Sequence, residues 1–301
     1  MTETPAAGAH MRAELFSQPE TWARAAAMRD EQALLPASGA RIAVVGCGTS
    51  WFMAQSYAAL REAAGHGETD AFTASEFPYG RDYDAIVALT RSGTTTEVLE
   101  LTAQVKGKTP VIAVVGDTTS PLVDLADTVI GLPFADEKSV VQTRFATTAL
   151  ALFRASLGES LDKAIADAAG VLSDAASTDP ALREAEQYSF LGMGWTIGLA
   201  HEAGLKMRES SQSWTESYSA MEYRHGPIAI AAPGRITWAF GEVPEGLEAQ
   251  VLATGARFVQ HLIDPMADLV RLHNVALERA VAKGLDPDQP RNLTRSVILE
   301  A

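Results

Sequence analysis

Hydroxyl-bearing residues are concentrated in the stretch AIVALTRSGTTTEVLEL, residues 85–101. The apolar run 85–89 predicts a buried strand, and the pattern after residue 95 predicts an amphipathic helix. The start of a helix presents unpaired N–H groups and a partial positive charge, so it accepts phosphate. Gly93 allows close approach of a ligand to the backbone. The hydroxyl donors around it are Thr90, Ser92, Thr94, Thr95 and Thr96. These features predict a phosphate cradle without a lysine, although an ordinary N-cap at Thr95 or Thr96 explains the isolated stretch equally well.

Two further stretches join glycines or hydroxyls to the start of a predicted helix. The first is GCGTS, residues 46–50, and the second is EKSVVQTRFATT, residues 137–148. The polar residues of the second stretch that precede its helix are Ser139, Gln142 and Thr143. Cys47 has no neighbouring signature of a nucleophile, so we interpret it as a buried structural thiol. Three such helix starts in one half of the chain predict a phosphosugar pocket.

Candidate acid–base residues lie on a helix predicted over 196–210. Glu202, Lys206 and Glu209 are spaced so that all three share one face of this helix. The spacing alone favours an ordinary salt bridge on a solvated face. His225 precedes Gly226 and Pro227, a rigid turn that could aim its imidazole into a cleft. Taken alone, this histidine is more simply a loop residue.

The elements that must position these residues alternate between strands and helices. In the first half, strands are predicted at 41–45, 85–89 and 111–115, with helices at 51–64, 96–106, 120–126, 140–156 and 160–176. Such alternation predicts a parallel sheet covered on both faces, whose ligands bind beyond the carboxyl ends of the strands. The stretch SDAASTDP, residues 173–180, is typical of a linker.

The second half repeats this pattern. Residues 188–209 resemble residues 41–62, with Gly192 and Gly194 matching Gly46 and Gly48. Strands at 236–240 and 257–263 and helices from 245 and over 265–283 complete it. We predict an α/β protein with two tandem doubly wound, flavodoxin-like parallel-sheet domains, the second shortened. Residues 1–177 form the first domain with its N-terminal segment, and residues 178–301 form the second domain with the C-terminal tail.

Composition excludes several classes of protein. The 301 residues carry a net charge of −14, which argues against a nucleic-acid or anionic membrane surface. No apolar run reaches the roughly 18–20 residues that cross a bilayer, and no signal peptide is evident, so we expect a cytoplasmic protein. One cysteine and six histidines, none in a ligand spacing, predict neither a disulfide framework nor a metal site. The glycine turns lack the G-x-G-x-x-G spacing, so we expect no dinucleotide cofactor.

The ordered motifs GCGTS, TRSGTTTE and VVQTRFATT resemble the sugar isomerase (SIS) domain family. Residues 10–22, 201–227 and 286–300 are similar to segments of the isomerase half of glucosamine-6-phosphate synthases. Those synthases also carry a glutaminase domain whose nucleophile is an N-terminal cysteine. Here Met1 is followed by Thr2, and there is no room for that domain before residue 10. The resemblance therefore implies a double-SIS enzyme that does not use glutamine.

The resemblance also implies a set of substrate contacts. It assigns the sugar phosphate to Thr90, Arg91, Ser92, Thr95 and Gln142. It assigns the pocket lining to Cys47, Gly48, Thr49 and Ser50. Arg91 departs from the family, which often has glutamine at this position. Its guanidinium either pairs with the phosphate or points to solvent.

Aldose–ketose interconversion moves a proton between adjacent carbons and needs a carboxylate or similar base. The resemblance assigns this proton transfer to Glu209 and ring opening to His225, commonly supplied by the neighbouring subunit of a homodimer. Arg295 stands where the synthases have a lysine that forms a Schiff base, and a guanidinium cannot form that imine. Arg295 is then left to hold an enediolate oxygen or a phosphate. Lys206 is expected to pair with Glu202 or Glu209 rather than to act as an amine.

The leading hypothesis is a phosphosugar isomerase that acts on a hexose or hexosamine 6-phosphate through an enediol(ate). An aminosugar-phosphate deaminase or deglycase of the same family shares nearly all of these residues. A phosphosugar sensor without catalysis is the alternative from another class. The absence of a helix-turn-helix or basic segment and the presence of Glu209 and His225 disfavour that sensor.

Overall fold

The computed structural model describes residues 6–174 and 179–299 in two compact units. The N-sheet unit comprises Glu20–Glu137, Arg144–Leu161 and the residues from Thr294 onward. The C-sheet unit comprises the residues up to Pro19, Lys138–Thr143 and Asp162–Leu293. The predicted domain boundary between residues 177 and 178, with part of the predicted linker, falls on residues 175–178, outside the described residues. That boundary stays a prediction.

The N-sheet unit is built on a five-stranded parallel sheet. Its strands are β1 (Ile42–Gly46), β2 (Thr69–Thr73), β3 (Ala85–Thr90), β4 (Val111–Val115) and β5 (Thr128–Gly131). Their order is β2-β1-β3-β4-β5, which is the flavodoxin-like order. The three central strands are buried along their whole length, so their apolar runs were visible in the sequence. The two edge strands β2 and β5 are partly exposed and of mixed composition, and sequence patterning missed them.

Helices cover both the sheet and one another within this unit. They are α3 (Arg29–Gln32), α4 (Thr49–Ala63), α5 (Thr96–Val105), α6 (Leu122–Leu125) and α7 (Arg144–Ser156), with α2 (Gln18–Ala27) ahead of them. Tyr57 of α4 stacks on Phe153 of α7 with 4.1 Å between ring centroids. Arg61 is fully buried, and its guanidinium donates to the carbonyls of Ala37 and Ala40. The helices predicted at 51–64, 96–106, 120–126 and 140–156 are present in this unit, whereas the one predicted at 160–176 is the helix Asp162–Ser173 of the C-sheet unit.

The C-sheet unit has a smaller, four-stranded parallel sheet, in agreement with the predicted shortening. Its strands are β6 (Gln187–Gly192), β7 (Thr215–Ser219), β8 (Arg235–Phe240) and β9 (Arg257–Gln260), in the order β7-β6-β8-β9. Its helices are α1 (Ala9–Phe16), α8 (Asp162–Ser173), α9 (Pro180–Glu184), α10 (Thr196–Ser211), α11 (Leu247–Ala253) and α12 (Pro265–Ala282). The polar edge strand β7 was not predicted. None of the described helices is long and apolar enough to cross a membrane.

The two sheets use the same glycine turn after their first buried strand. Gly48 and Gly194 adopt nearly equal left-handed φ values, 54° and 55°. A Cβ at Gly46 would lie 2.7 Å from the carbonyl carbon of Ser50, and one at Gly192 would lie 2.3 Å from the carbonyl oxygen of Thr196. In each unit the helix start packs directly on the last strand residue, so only glycine fits there. The weak sequence repeat corresponds to a repeated backbone geometry.

Candidate functional site

The loop between β3 and α5 lies at the carboxyl end of the N-sheet. Thr90 ends the strand, and Arg91, Ser92 and Gly93 form a bend before the helix begins at Thr96. Gly93 has a φ of 61°, and a Cβ at this position would lie 1.9 Å from the hydroxyl of Ser120. A larger residue would therefore displace the loop from β4 and its following turn.

Several N–H groups of this loop remain available. The N–H of Gly93 donates to the Thr90 hydroxyl at 3.3 Å, and that of Thr94 donates to the Ser92 hydroxyl at 3.2 Å. The N–H groups of Ser92, Thr95 and Glu97 donate to no acceptor among the described residues. Thr95 occupies the N-cap position but its side chain makes no capping hydrogen bond. The simple N-cap explanation of this stretch is not realised at Thr95, and the helix start keeps free donors for an anion.

The C-terminal segment of the same unit runs along the loop. The N–H of Thr96 donates to the carbonyl of Val297 at 3.2 Å, and the N–H of Leu299 donates to the Thr96 hydroxyl at 2.9 Å. The hydroxyls of Thr94 and Ser296 lie 2.8 Å apart. The tail thus engages Thr94 and Thr96, while Thr90, Ser92 and Thr95 are the hydroxyls that the resemblance assigns to phosphate.

The side chain of Arg91 is buried within the N-sheet unit and does not point to solvent. Only 4% of its side chain is exposed, and its guanidinium donates to the carbonyl of Arg295 at 2.8 Å. The same guanidinium lies 3.9 Å from the buried carboxylate of Glu137. Arg295 is itself paired, because it lies 2.5 Å from the Asp136 carboxylate and also donates to the Glu137 carbonyl. The expectation of a solvent-directed Arg91 is wrong, since long-range partners hold it inside the unit.

Glu137 also caps helix α7. Its carboxylate accepts the N–H of Arg144 at 2.7 Å and that of Phe145 at 3.2 Å. This helix start therefore already holds an anion from the chain, and its predicted contribution to a phosphosugar pocket stays a prediction. Ser139 donates to the carbonyls of Val141 and Pro287 inside the C-sheet unit.

Gln142 belongs to the C-sheet unit. Its side-chain oxygen is buried and accepts no hydrogen bond from the described residues. A buried acceptor without a donor is costly, so a ligand donor at this oxygen would be favourable. Its role in phosphate binding stays a prediction.

The GCGTS turn brings Cys47 against the core between β1 and α4. Burial raises the pKa of the Cys47 thiol, with a smaller opposing contribution from a hydrogen bond to the backbone of Ala74. A protonated thiol is a weak nucleophile, which agrees with a structural role. Thr49 and Ser50 are buried at the start of α4, and Gly48 is exposed.

A charge cluster in the C-sheet unit surrounds Lys206. Its ammonium lies 2.5 Å from the Glu209 carboxylate and 3.6 Å from that of Glu202. The predicted common face on α10 is confirmed, but it is not a solvated face. Lys206 and Glu202 are fully buried, whereas 21% of the Glu209 side chain is exposed. Two carboxylates around the ammonium agree with charge pairing rather than with an imine-forming amine.

His273 joins this cluster from another helix. It is fully buried on α12, and its Nε2 lies 3.8 Å from the Glu202 carboxylate. Nothing in the local sequence pattern around His273 distinguishes it from an ordinary surface or core residue. Only the packing of α10 against α12 brings it to Glu202.

Glu209 also lines an open cleft of about 460 Å³. The other lining residues are Leu205, Arg208, Gln212, Ser213, Arg291 and Leu293. Glu209 therefore lies between a buried counter-charge and a space that is large enough for a ligand. The sequence did not indicate that Arg208 and Arg291 line this cleft, because nothing in the pattern around an exposed arginine shows where its side chain lies in the fold.

His225 ends a 3-10 turn, Glu222–His225, and is followed by Gly226 at a φ of 144°. The Tyr223 hydroxyl lies 3.1 Å from that of Thr237 and anchors the turn. The imidazole of His225 is exposed and makes no hydrogen bond, ion pair or ring contact with any described residue. The turn is present as predicted, but it directs His225 outward.

In the described part of the chain, no group of three or more His, Cys, Asp or Glu side chains is arranged to hold a metal ion.

Comparison with known proteins finds a family match in the first half of the chain. Residues 35–157 match the family model described as the SIS domain. A glutamine–fructose-6-phosphate aminotransferase (isomerizing) of Nostoc sp. is 28% identical over 325 aligned residues, covering 86% of this chain and 52% of the relative. The enzyme of the same name from Aeropyrum pernix is also 28% identical, over an alignment that covers 96% of this chain and 57% of the relative. The chain spans about half the length of these curated relatives.

Solved structures share the fold over most of the chain. The glucosamine-6-phosphate deaminase of Thermotoga maritima has a TM-score of 0.79 at 24% identity and covers 96% of this chain and 100% of its own. The C-terminal domain of the Francisella tularensis glucosamine–fructose-6-phosphate aminotransferase has a TM-score of 0.78 at 23% identity, covering 93% and 98%. The Escherichia coli tagatose-6-phosphate ketose/aldose isomerase has a TM-score of 0.78 at 18% identity, covering 99% of both chains. At these identities the likeness establishes the fold.

Proposed function

We propose that this chain, which carries an SIS domain over residues 35–157, is a phosphosugar aldose–ketose isomerase that acts on a hexose or hexosamine 6-phosphate. The observation that carries the proposal concerns the loop at the end of β3. There, N–H groups at the start of α5 donate to no acceptor among the described residues. The relatives named above act on sugar phosphates according to their names. The phosphate dianion binds the N–H groups of Ser92, Thr95 and Glu97, with the hydroxyls of Thr90, Ser92 and Thr95 as further donors.

Glu209 is the proposed base. Its carboxylate takes the proton from the carbon next to the carbonyl, which leaves an enediol(ate), and returns it to the former carbonyl carbon. The ammonium of Lys206 fixes the orientation of this carboxylate at 2.5 Å. Glu209 is partly exposed and lines a cleft, so a substrate carbon can reach it. A lysine imine is not part of the proposal, because the family lysine is replaced by Arg295 and Lys206 is paired. The proposed reaction uses no glutamine.

We further propose that the enzyme is a homodimer whose sites are shared. His225 has the imidazole needed for ring opening, yet it faces outward from its own unit without a described partner. An exposed general acid–base residue on a rigid turn fits a role in the site of a neighbouring subunit.

The test offers fructose, tagatose, glucosamine and galactosamine 6-phosphates in deuterated water. Deuterium at the first or second sugar carbon reports the proton transfer, and ketose formation and ammonia release are measured in parallel. Glu209→Gln is expected to abolish exchange, whereas Glu248→Gln, at an exposed glutamate on α11, is expected to retain it. Release of one ammonia for each ketose formed from an aminosugar 6-phosphate would identify a deaminase instead. Tight binding of a sugar phosphate without exchange would identify a sensor.

A further inference from the structure

The turn that carries His225 is held at two points, one buried and one near the surface. Tyr223 is fully buried, and its hydroxyl lies 3.1 Å from that of Thr237 on β8. Arg224, the next residue, reaches the segment that leads into α11. We propose that Arg224 is a positioning residue, which fixes the direction of the His225 imidazole for ring opening. This inference rests on the proposed function, because that function assigns ring opening to His225.

The guanidinium of Arg224 is bound on three sides within its own unit. Its Nε donates to the side-chain oxygen of Gln250 at 2.7 Å, and its Nη2 donates to the carbonyl of Glu245. Its Nη1 lies 3.9 Å from the sulfur of Met221, which immediately precedes the turn. The side chain therefore joins the beginning of the turn to α11 and to the segment before it.

The acceptor on α11 belongs to a well-packed part of the C-sheet unit. Gln250 lies on that helix between Leu247 and Val251, and both of these side chains are fully buried. They share one hydrophobic core with Tyr223. Because this core holds α11 in place, the hydrogen bond from Arg224 ties the exposed turn to a fixed helix.

The backbone after His225 offers no comparable support. Gly226 has a φ of 144°, which favours glycine, and a separate 3-10 turn, Pro227–Ile230, follows it. The imidazole of His225 makes no hydrogen bond, ion pair or ring contact with any described residue. The buried Tyr223 fixes the position of the turn but leaves rotation about that one side chain open. Arg224 supplies the second point of attachment that a defined direction requires.

The direction of the imidazole matters for one step of the proposed reaction. Ring opening breaks the bond between the anomeric carbon and the ring oxygen, while a proton leaves the anomeric hydroxyl and another reaches the ring oxygen. Such transfers need a donor and an acceptor about 2.6–3.2 Å apart, so a small displacement of the imidazole slows them strongly. A sugar whose ring cannot close does not need this step. Arg224 should therefore affect cyclic substrates and spare open-chain ones.

The test compares fructose and tagatose 6-phosphates with their 5-deoxy analogues, which lack the hydroxyl that closes the ring and stay open. Exchange of deuterium from the solvent into the first sugar carbon gives kcat/KM for each compound. The variants are Arg224→Met, Gln250→Ala, Gln250→Glu and the double variant of Arg224→Met with Gln250→Ala. His225→Asn is the reference for lost ring opening. Arg257→Met is the control for the loss of one charge, because Arg257 pairs with Asp179 elsewhere in the same unit.

We expect Arg224→Met to lower kcat/KM about tenfold for the cyclic sugars and less than about twofold for the open-chain analogues. Gln250→Ala should cause a smaller loss with the same selectivity, and no further loss when it is added to Arg224→Met. Gln250→Glu should retain activity, because its carboxylate accepts the same N–H group. Arg257→Met should leave both classes of sugar unchanged.

Equal losses on cyclic and open-chain sugars in Arg224→Met would overturn the inference, since Arg224 would then contact the substrate or support the fold. Unchanged activity of Arg224→Met on the cyclic sugars would also overturn it while His225→Asn remained selective. A loss in His225→Asn that does not distinguish the two classes would instead reject the assignment of ring opening to His225, and this inference with it. Absence of exchange for all four compounds in the unaltered chain would reject the proposed isomerase. Thermal unfolding of each variant verifies that it is folded.

Discussion

Lys206 and Glu209 form an ion pair of 2.5 Å in which the ammonium is fully buried and the carboxylate is partly exposed. One turn earlier on α10, the buried carboxylate of Glu202 lies 3.6 Å from the same ammonium. The helix therefore buries one charged partner and presents the other to a cleft. This asymmetry is what a base needs when its orientation must be fixed while one oxygen stays accessible.

Lys206→Met should strongly destabilise the protein, because it leaves the buried carboxylate of Glu202 without this ion pair. We expect a loss of about 3–5 kcal/mol in the free energy of unfolding, measured by urea denaturation. Lys163→Met is the matched control, since Lys163 forms an exposed i,i+4 pair with Asp167 on α8. That variant should lose at most about 1 kcal/mol. Similar losses in both variants would show that burial of the Lys206 cluster has no energetic consequence.

Gly93→Ala should impair both stability and sugar-phosphate binding. The new Cβ would meet the Ser120 hydroxyl at 1.9 Å, and the residue keeps a positive φ. Gly107→Ala separates the two causes, because Gly107 has a φ of 75° but nothing within 4 Å of its Cβ position. We expect about 1–2 kcal/mol of destabilisation for Gly107→Ala from the backbone alone. The loss for Gly93→Ala should be larger and accompanied by weaker binding in a thermal-shift titration. Unchanged binding would show that this loop does not hold the phosphate.

Glu137→Gln should raise the KM for the sugar phosphate more than it lowers kcat. Glu137 caps α7 and lies beside Arg91 of the loop between β3 and α5, so loss of its charge should loosen that loop without touching Glu209, the proposed base. We expect a cost of about 1–3 kcal/mol in stability, as for a buried charged hydrogen bond. Glu68→Gln, at an exposed pair with Arg41, serves as the control. A change confined to kcat would contradict this positioning role.

Mixing two inactive variants tests the shared site. Glu209→Gln and His225→Asn should each be inactive as homodimers. After unfolding and refolding together, about half the dimers are mixed, and each of these has one intact site, so about a quarter of the activity should return. No recovery would place both residues in the site of a single subunit.

The reactivity of Cys47 should be low at neutral pH. Burial disfavours the thiolate, so its pKa lies above the ordinary value and the thiolate fraction at pH 7 is reduced. Because Cys47 is the only cysteine, iodoacetamide labelling followed by mass spectrometry reports it directly. The labelling rate should rise with pH through a midpoint above that of a free cysteine, and unfolding should bring the midpoint down. Rapid labelling of the folded protein at pH 7 would contradict a structural role for this partly buried thiol.

Several features were readable from the sequence because they depend on local patterns. The central strands are continuous apolar runs, and the flavodoxin-like architecture follows from their alternation with helices. The edge strands β2, β5 and β7 were missed, because their partly exposed residues lack a consistent period. The common face of Lys206 and Glu209 followed from helical spacing alone.

The sequence by itself determined the fold class, the glycine turns and the hydroxyl-rich start of α5, since each depends on residues that are close together along the chain. Only the tertiary structure decided the partners of Arg91, Glu137 and Arg295, the approach of His273 to Glu202 and the burial of Lys206. These depend on contacts between distant segments, which a local pattern does not encode. The cleft beside Glu209 also depends on a contact between distant segments, because Arg291, which lines it, follows the last helix of the chain.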